Sequence, residues 1–269
     1  MNGKMKLSDR KNPFAEGFWN TINHMVVGLK FPEIEVTGSE YIPQAGPFLL
    51  VCNHTSRWDG LVVRKVVGRR ANYMVSPNEL TGFQGAVLRS VGAFPANPRY
   101  DLVSFMLRRV EAGEGIVIFP EGDVFRDGSV HPFKNGAARM ALSCACRGIN
   151  LPVVAMAIVY DERDRSAARC VISPPVFLEP YLQDYSQQSN IGIRALTVRL
   201  EREVCLLRTT LGCAQDSYQL AVGRTIKQWV PGGSRVSQES ASRENSRSCR
   251  RIFAVEDGLS DGDRAQASA

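Results

Sequence analysis

Phe48-Leu49-Leu50-Val51-Cys52-Asn53-His54-Thr55-Ser56-Arg57-Trp58-Asp59 joins a wholly apolar run to a polar turn. Five apolar residues in succession read as a strand buried on both faces, since a half-exposed strand would alternate with polar residues. Asn53-His54-Thr55-Ser56 suits a turn and a helix cap. A helix-like segment follows from Gly60 to Val67. Strand, turn and helix in that order begin a βα unit.

The same alternation continues on both sides. Strands are predicted near Ile34 to Thr37, Pro47 to Cys52, Ala71 to Val75, Gly115 to Phe119, Leu151 to Val159 and Cys170 to Ile172. Helices are predicted over Gly60 to Val67, Glu79 to Leu88, Leu102 to Glu111 and Gly136 to Arg147, the last with Asn135 as its cap. Such a sequence of elements builds an α/β domain with a mixed, largely parallel sheet flanked by helices. Ligands of such sheets collect at the C-terminal ends of the strands.

Before this domain, Phe14, Phe18, Ile22, Met25, Val26 and Leu29 recur at spacings of three and four, the pattern of an amphipathic helix. It either covers one end of the core or lies in a membrane interface. Toward the other end, Ile193, Leu196, Leu200, Val204 and Leu207 mark the clearest helix, and another is expected from Asp216 to Val230. From Ser234 the composition turns to Ser, Arg, Glu, Asp, Gln and Ala, too polar to offset its ordering entropy. The expected division is an N-terminal amphipathic segment over 1–33, a domain over 34–233 and a disordered tail over 234–269, in which Cys249, Ile252 and Phe253 are the only candidates for a small recognition site.

Bulk properties narrow the partners. The 269 residues, 44% of them hydrophobic, suffice for a full core. Pro152 to Val159, the longest wholly apolar stretch outside small-residue regions, falls far short of the roughly 18 residues that read as a membrane span. No apolar stretch ending in a small-residue cleavage site follows Lys4, Lys6, Arg10 and Lys11, so a cytoplasmic protein is expected. Seven scattered cysteines fit free thiols in a reducing compartment, and Cys144 and Cys146 lack the second pair a zinc site needs. The net charge of +6 favours phosphate or an anionic membrane surface. Nucleic acid is not expected, since no basic stripe carries interleaved aromatics.

Three places can carry chemistry. An imidazole removes a proton from an alcohol near neutral pH, and a carboxylate on its far nitrogen fixes the tautomer. His54 and Asp59 fit those roles, but five helical positions would leave them about 140° apart. They meet only if His54 lies in the turn before the helix. Alone, the His-x4-Asp spacing is a weak signal, and His54 in isolation reads rather as a structural or metal-binding histidine.

Next, Ile116-Val117-Ile118-Phe119-Pro120-Glu121-Gly122 is a buried strand ending in Pro, an acid and Gly, which places Glu121 at a sheet edge facing a cleft. Arg126 nearby offers a forked donor for phosphate; a turn with a surface acid and arginine is the alternative. Last, prolines surround Arg99 in Gly92-Ala93-Phe94-Pro95-Ala96-Asn97-Pro98-Arg99, and Lys134 precedes a helix N-terminus, where anions are favoured. A solvated arginine is again the alternative for Arg99.

Taken together these stretches resemble a known family. Asn53-His54-Thr55-Ser56-Arg57-Trp58-Asp59 looks like the NHxSxxD block of the glycerophospholipid acyltransferases, the superfamily of lysophosphatidic acid acyltransferase, and Phe119-Pro120-Glu121-Gly122 looks like its FPEG block. Gly92-Ala93-Phe94 through Arg99 occupies the place of the second block, and Leu151 to Ile158 resembles the proline-led fourth. The resemblance spans roughly Phe14 to Val176.

It implies transfer of an acyl group from a thioester, on coenzyme A or acyl carrier protein, to the free hydroxyl of 1-acyl-glycerol-3-phosphate, with no metal or other cofactor. His54 and Asp59 would be catalytic, and Arg99, Glu121, Gly122, Arg126 and Lys134 would bind substrate. Ser56 would cap the helix, and backbone amides after His54 would stabilise the oxyanion. It also implies peripheral membrane association through the N-terminal helix. Two departures fall on the acceptor side: Asp123 stands where the family has threonine, with Arg126 two positions late, and Arg99 follows Phe94 later than usual. Another lysophospholipid or polar lipid is therefore an alternative acceptor. A degenerate membrane-associated binding protein and a phosphate-dependent hydrolase are the other readings.

Overall fold

The computed structural model describes residues 4–161 and 166–212. The helix expected over 216–230 and the tail over 234–269 lie outside the described residues.

Elements alternate as the sequence predicts. Helix α1 (Pro13–Lys30) starts at Asn12, whose side chain accepts from the amides of Phe14 and Ala15. There follow β1 (Glu33–Thr37), β2 (Leu49–Cys52), α2 (Asp59–Val67), β3 (Ala71–Val75), α3 (Gly82–Ser90) and β4 (Ala93–Pro95). The chain continues through α4 (Leu102–Glu111), β5 (Gly115–Ile118), α5 (Gly136–Cys146), β6 (Val153–Tyr160), β7 (Ala167–Ile172), α6 (Glu179–Gln187) and α7 (Ser189–Thr210).

The strands form one seven-stranded sheet in the order β1-β7-β6-β2-β5-β3-β4. Every pairing is parallel except that of β6 with β7, so the sheet is mixed and largely parallel. Both faces are covered. Leu49 and Val51 enter a core with α4, α5 and α7, while Leu50 and Cys52 enter a second core beneath α1 and α2. Burial on both faces is the reason Phe48 to Cys52 shows no alternation.

Four local readings change. Strand β5 is interior, between β2 and β3, so Glu121 does not stand at a sheet edge; crossover connections, invisible in local sequence, set that order. The helix expected over Glu79 to Leu88 is broken into a 3-10 turn (Pro77–Leu80) and α3, because Gly82 takes φ 56° and Gly85 packs against the Leu80 backbone. Asn135 makes no cap bond and instead accepts from the Thr197 hydroxyl at 3.1 Å. Among the cysteines, Cys52, Cys144, Cys170 and Cys205 are buried and free, but Cys146 is disulfide-bonded, which spacing along a chain does not reveal.

Two elements carry no clear local signal. Strand β4 has three residues, and its Pro95 is tolerated because β4 is an edge strand. Helix α6 is polar, and its place depends on buried Tyr185, whose hydroxyl lies 3.3 Å from Ser143 Oγ of α5. Gly192 lets α7 approach the Tyr185 backbone, where a Cβ would come within 2.6 Å.

Helix α1 turns its apolar stripe outward. Phe14 is 89% exposed and Leu29 80%, with Phe18 and Met25 also in solvent. The buried side is held by an ion pair of Glu16 with Arg70 at 2.8 Å, by Asn23 donating to the Leu61 carbonyl and by Val27. The stripe therefore does not cover the core. Among the described residues no helix is long and apolar enough to cross a membrane.

Candidate active site

Strands β6, β2 and β5 lie side by side and run parallel through the middle of the sheet, and each delivers one group at its C-terminal end. His54 follows β2, Glu121 follows β5, and Tyr160 ends β6. Asn53 joins two of these ends. Its side-chain nitrogen donates to the Ile158 carbonyl at 3.0 Å and its oxygen accepts from the Ile158 amide at 2.9 Å, so a side chain continues the β2–β6 ladder.

His54 lies in the turn before α2, as its pairing requires. Its Nδ1 is 2.8 Å from Asp59 Oδ2, with Asp59 at the first position of the helix and completely buried. That same oxygen accepts the amides of Thr55 at 2.7 Å and Ser56 at 2.8 Å. The turn thus folds around the carboxylate, which bears a charge where a helix N-terminus favours one. A carboxylate at Nδ1 puts the ring proton there, and Nε2 keeps the lone pair. The imidazole stacks on Phe119, ring centres 4.5 Å apart.

Two expectations for the turn are corrected. Trp58, not Ser56, occupies the cap position, and Ser56 Oγ accepts the Trp58 amide at 3.2 Å within the turn. The amides of Thr55 and Ser56 are committed to Asp59, so these two are not donors for an oxyanion.

Glu121 is 3% exposed, with both carboxylate oxygens on main-chain amides: Oε1 accepts from His54 at 2.7 Å and Oε2 from His131 at 2.9 Å. Burial pushes its carboxyl above the ordinary range, against the pull of those amides. In this geometry Glu121 holds His54 in place and ties down the segment between β5 and α5. That segment is fastened further by the Phe125 amide on the His54 carbonyl, the Lys134 amide on the Pro120 carbonyl and Glu201 accepting the Phe133 amide. Gly122 sits in the left-handed region at φ 76°, which a side chain would strain.

Glu121→Gln should cost about 1–3 kcal/mol, because one of two buried amides loses its acceptor and faces an NH2 group. The pH dependence follows from the direction of the shift. A carboxyl raised in the folded state favours folding below its ordinary pKa, and that contribution is lost as pH rises through the raised value. Urea unfolding of the variant across the carboxylate range should show this part of the slope removed.

The cations are more dispersed. Lys134 is exposed and its Nζ lies 3.5 Å from the Gly122 carbonyl oxygen, beside the end of β5. Arg126 is exposed in the same segment. Arg99 is exposed in the loop after edge strand β4, where its main chain pairs with Met5, and no contact joins it to His54 or Asp59. Tyr160, whose hydroxyl donates to Asp59 Oδ1 at 2.6 Å, had no signal in the sequence, since 101 positions separate the partners.

A family model described as "Acyltransferase" matches residues 33–159, from the start of β1 into β6 and short of Tyr160. The mouse (Mus musculus) 1-acyl-sn-glycerol-3-phosphate acyltransferase alpha is 26% identical over 184 residues, which is 64% of this chain and 64% of that protein. The crystal structure of the 1-acyl-sn-glycerophosphate (LPA) acyltransferase PlsC from Thermotoga maritima shares the fold, with a TM-score of 0.52 over 70% of this chain and 78% of that one at 18% identity. The matched segment holds His54 after β2, Asp59 at the start of α2 and Glu121 after β5, and over that segment the chain is similar to acyltransferases.

Proposed function

We propose that the protein transfers an acyl group from a thioester, on coenzyme A or acyl carrier protein, to the free hydroxyl of 1-acyl-glycerol-3-phosphate. The observation that carries this reading is the His54–Asp59 pair, joined through Nδ1 at 2.8 Å with Nε2 left to act. In the proposed step Nε2 takes the hydroxyl proton as the acceptor oxygen bonds to the thioester carbonyl carbon. Collapse of the tetrahedral intermediate breaks the C–S bond, and the imidazolium returns its proton to the leaving thiolate. Asp59 stabilises the imidazolium between the two transfers.

Phosphate on the acceptor would be met by Lys134 and Arg126, next to the end of β5, and by Arg99 from the loop after β4. Glu121 and Gly122 would shape this side indirectly, by fixing the segment that carries Lys134. The outward stripe Phe14, Phe18, Met25 and Leu29 supports contact of α1 with the lipid surface that holds the acceptor.

Asp123 in place of the family's threonine, exposed at the acceptor side, favours a second reading in which the acceptor is another lysophospholipid. An acceptor screen decides between them. Thiol release is followed with acyl-CoA and acyl carrier protein donors, with products identified by lipid mass spectrometry and protein pelleted with the lipid vesicles to read the contact of α1. Acceptor-dependent release with 1-acyl-glycerol-3-phosphate is expected. Release without any acceptor would instead mean a hydrolase, and no release with any acceptor would mean a binding protein.

A further inference from the structure

Asp59 divides its two oxygens unequally. Oδ2 takes the His54 ring and the amides of Thr55 and Ser56, whereas Oδ1, in a fully buried side chain, takes the hydroxyl of Tyr160 at 2.6 Å. A carboxylate held at one oxygen can rotate about its own bond; held at both, it cannot. The Tyr160 ring is itself fixed. It packs on Phe31 at 5.1 Å between ring centres, and Phe31, 2% exposed, meets Trp58 edge-on at 5.6 Å. Phe31 caps α1 with its amide on the Val27 carbonyl at 2.8 Å, so this run of rings leads from the end of the outward-facing helix to the carboxylate.

From this geometry we infer that Tyr160 is a positioning residue for the proposed base, setting the orientation and charge of Asp59, and that Phe31 fixes Tyr160 from the end of α1. The inference rests on the reading of His54 as the base. A donor on Oδ1 draws negative charge toward itself and away from the oxygen that faces the imidazole. Removing the donor concentrates charge on Oδ2 and makes the imidazolium easier to form. His54 would then need a higher pH to be neutral and act as a base. Burial and the Asp59 charge together hold the Tyr160 hydroxyl far above the ordinary tyrosine range, so it remains a donor throughout an assay.

Other titratable groups surround the pair: Cys52 on β2, Cys170 on β7, Glu121 and His131 from the segment after β5, with Arg208 of α7 acting on Cys52. Burial pushes the Cys52 and Cys170 thiols up, out of the acid range. Glu121 and His131 are common to the protein and its variant, so a difference between their pH profiles reports the tyrosine.

The test is Tyr160→Phe, assayed with saturating thioester and 1-acyl-glycerol-3-phosphate after thermal unfolding has shown the variant folded. A fall of about tenfold to a hundredfold in kcat is expected. The acceptor KM should not change, since Tyr160 is directed at Asp59, and the acid limb of the pH–rate profile should move to higher pH. Phe31→Leu, which keeps an apolar side chain but loosens the ring contact, should move the limb the same way by less. A folded Tyr160→Phe variant with unchanged kcat and an unmoved limb overturns the inference, provided His54→Ala is inactive in the same assay. Should Tyr160→Phe not fold, an unmoved limb in Phe31→Leu overturns it instead. An active His54→Ala protein would overturn the underlying reading of the base, a distinct result.

Discussion

His54→Ala is expected to lower acyl transfer by about 10²- to 10⁴-fold while leaving the fold intact. Only the imidazole can take the acceptor proton in the proposed step, and the substitution removes it with its Nε2 lone pair. Folding should change little, because the His54 main chain keeps its bonds: its amide on Glu121 and its carbonyl under the Phe125 amide. The lost contacts are a stack on Phe119 and one bond to a carboxylate that retains three other donors. Steady-state thiol release paired with a thermal melt checks both halves. A folded variant with normal turnover would show that some other group takes the proton.

Asp59 should behave differently, because it serves the chemistry and the fold at once. Asp59→Ala leaves the Thr55 and Ser56 amides and the Tyr160 hydroxyl without their acceptor at a completely buried position. Breaking one side of such a buried arrangement costs about 3–5 kcal/mol. Asp59→Asn is the more informative change. Its amide oxygen, in the place of Oδ2, can still accept the Thr55 and Ser56 amides while its NH2 group meets the Tyr160 hydroxyl, but a neutral amide gives the imidazolium no counter-charge, and a loss of about 10⁴-fold in kcat is expected. Denaturant unfolding should separate the two variants, with Ala far less stable than Asn, while both lose most of their turnover. Equal stability of Asp59→Ala and the unaltered protein would contradict the hydrogen-bond arrangement itself.

Much of the architecture was legible locally because both cores depend on plain apolar runs. Phe48 to Cys52, Ile116 to Ile118 and Val153 to Ile158 are buried on two faces, and their uninterrupted hydrophobicity announces this. The boundaries of β3 and α4 match their expected ranges, since a turn or a cap such as Asp101 marks each. Where a residue's role depends on a distant partner, local pattern is silent. Strand β4 is a strand because β3 pairs with it, and α6 is held by the burial of Tyr185.

The amphipathic spacing of α1 was equally visible, yet spacing does not say which way the stripe points. Glu16 and Asn23 decide that, through Arg70 and the Leu61 carbonyl, and they turn Phe14 and Leu29 to solvent.

The sequence by itself determined the alternation of strands and helices, the residue types of the His54–Asp59 pair and their place in a turn, because these follow from periodicity and from contacts within a few residues. Only the tertiary structure decided that Glu121 braces His54 from an interior strand, that Arg99 lies on the far edge of the sheet, and that Tyr160 closes on Asp59 from 101 positions away. Those placements arise from the order in which parallel strands assemble and from the burial of a carboxylate that must find its donors wherever the fold supplies them, and neither is written in local pattern.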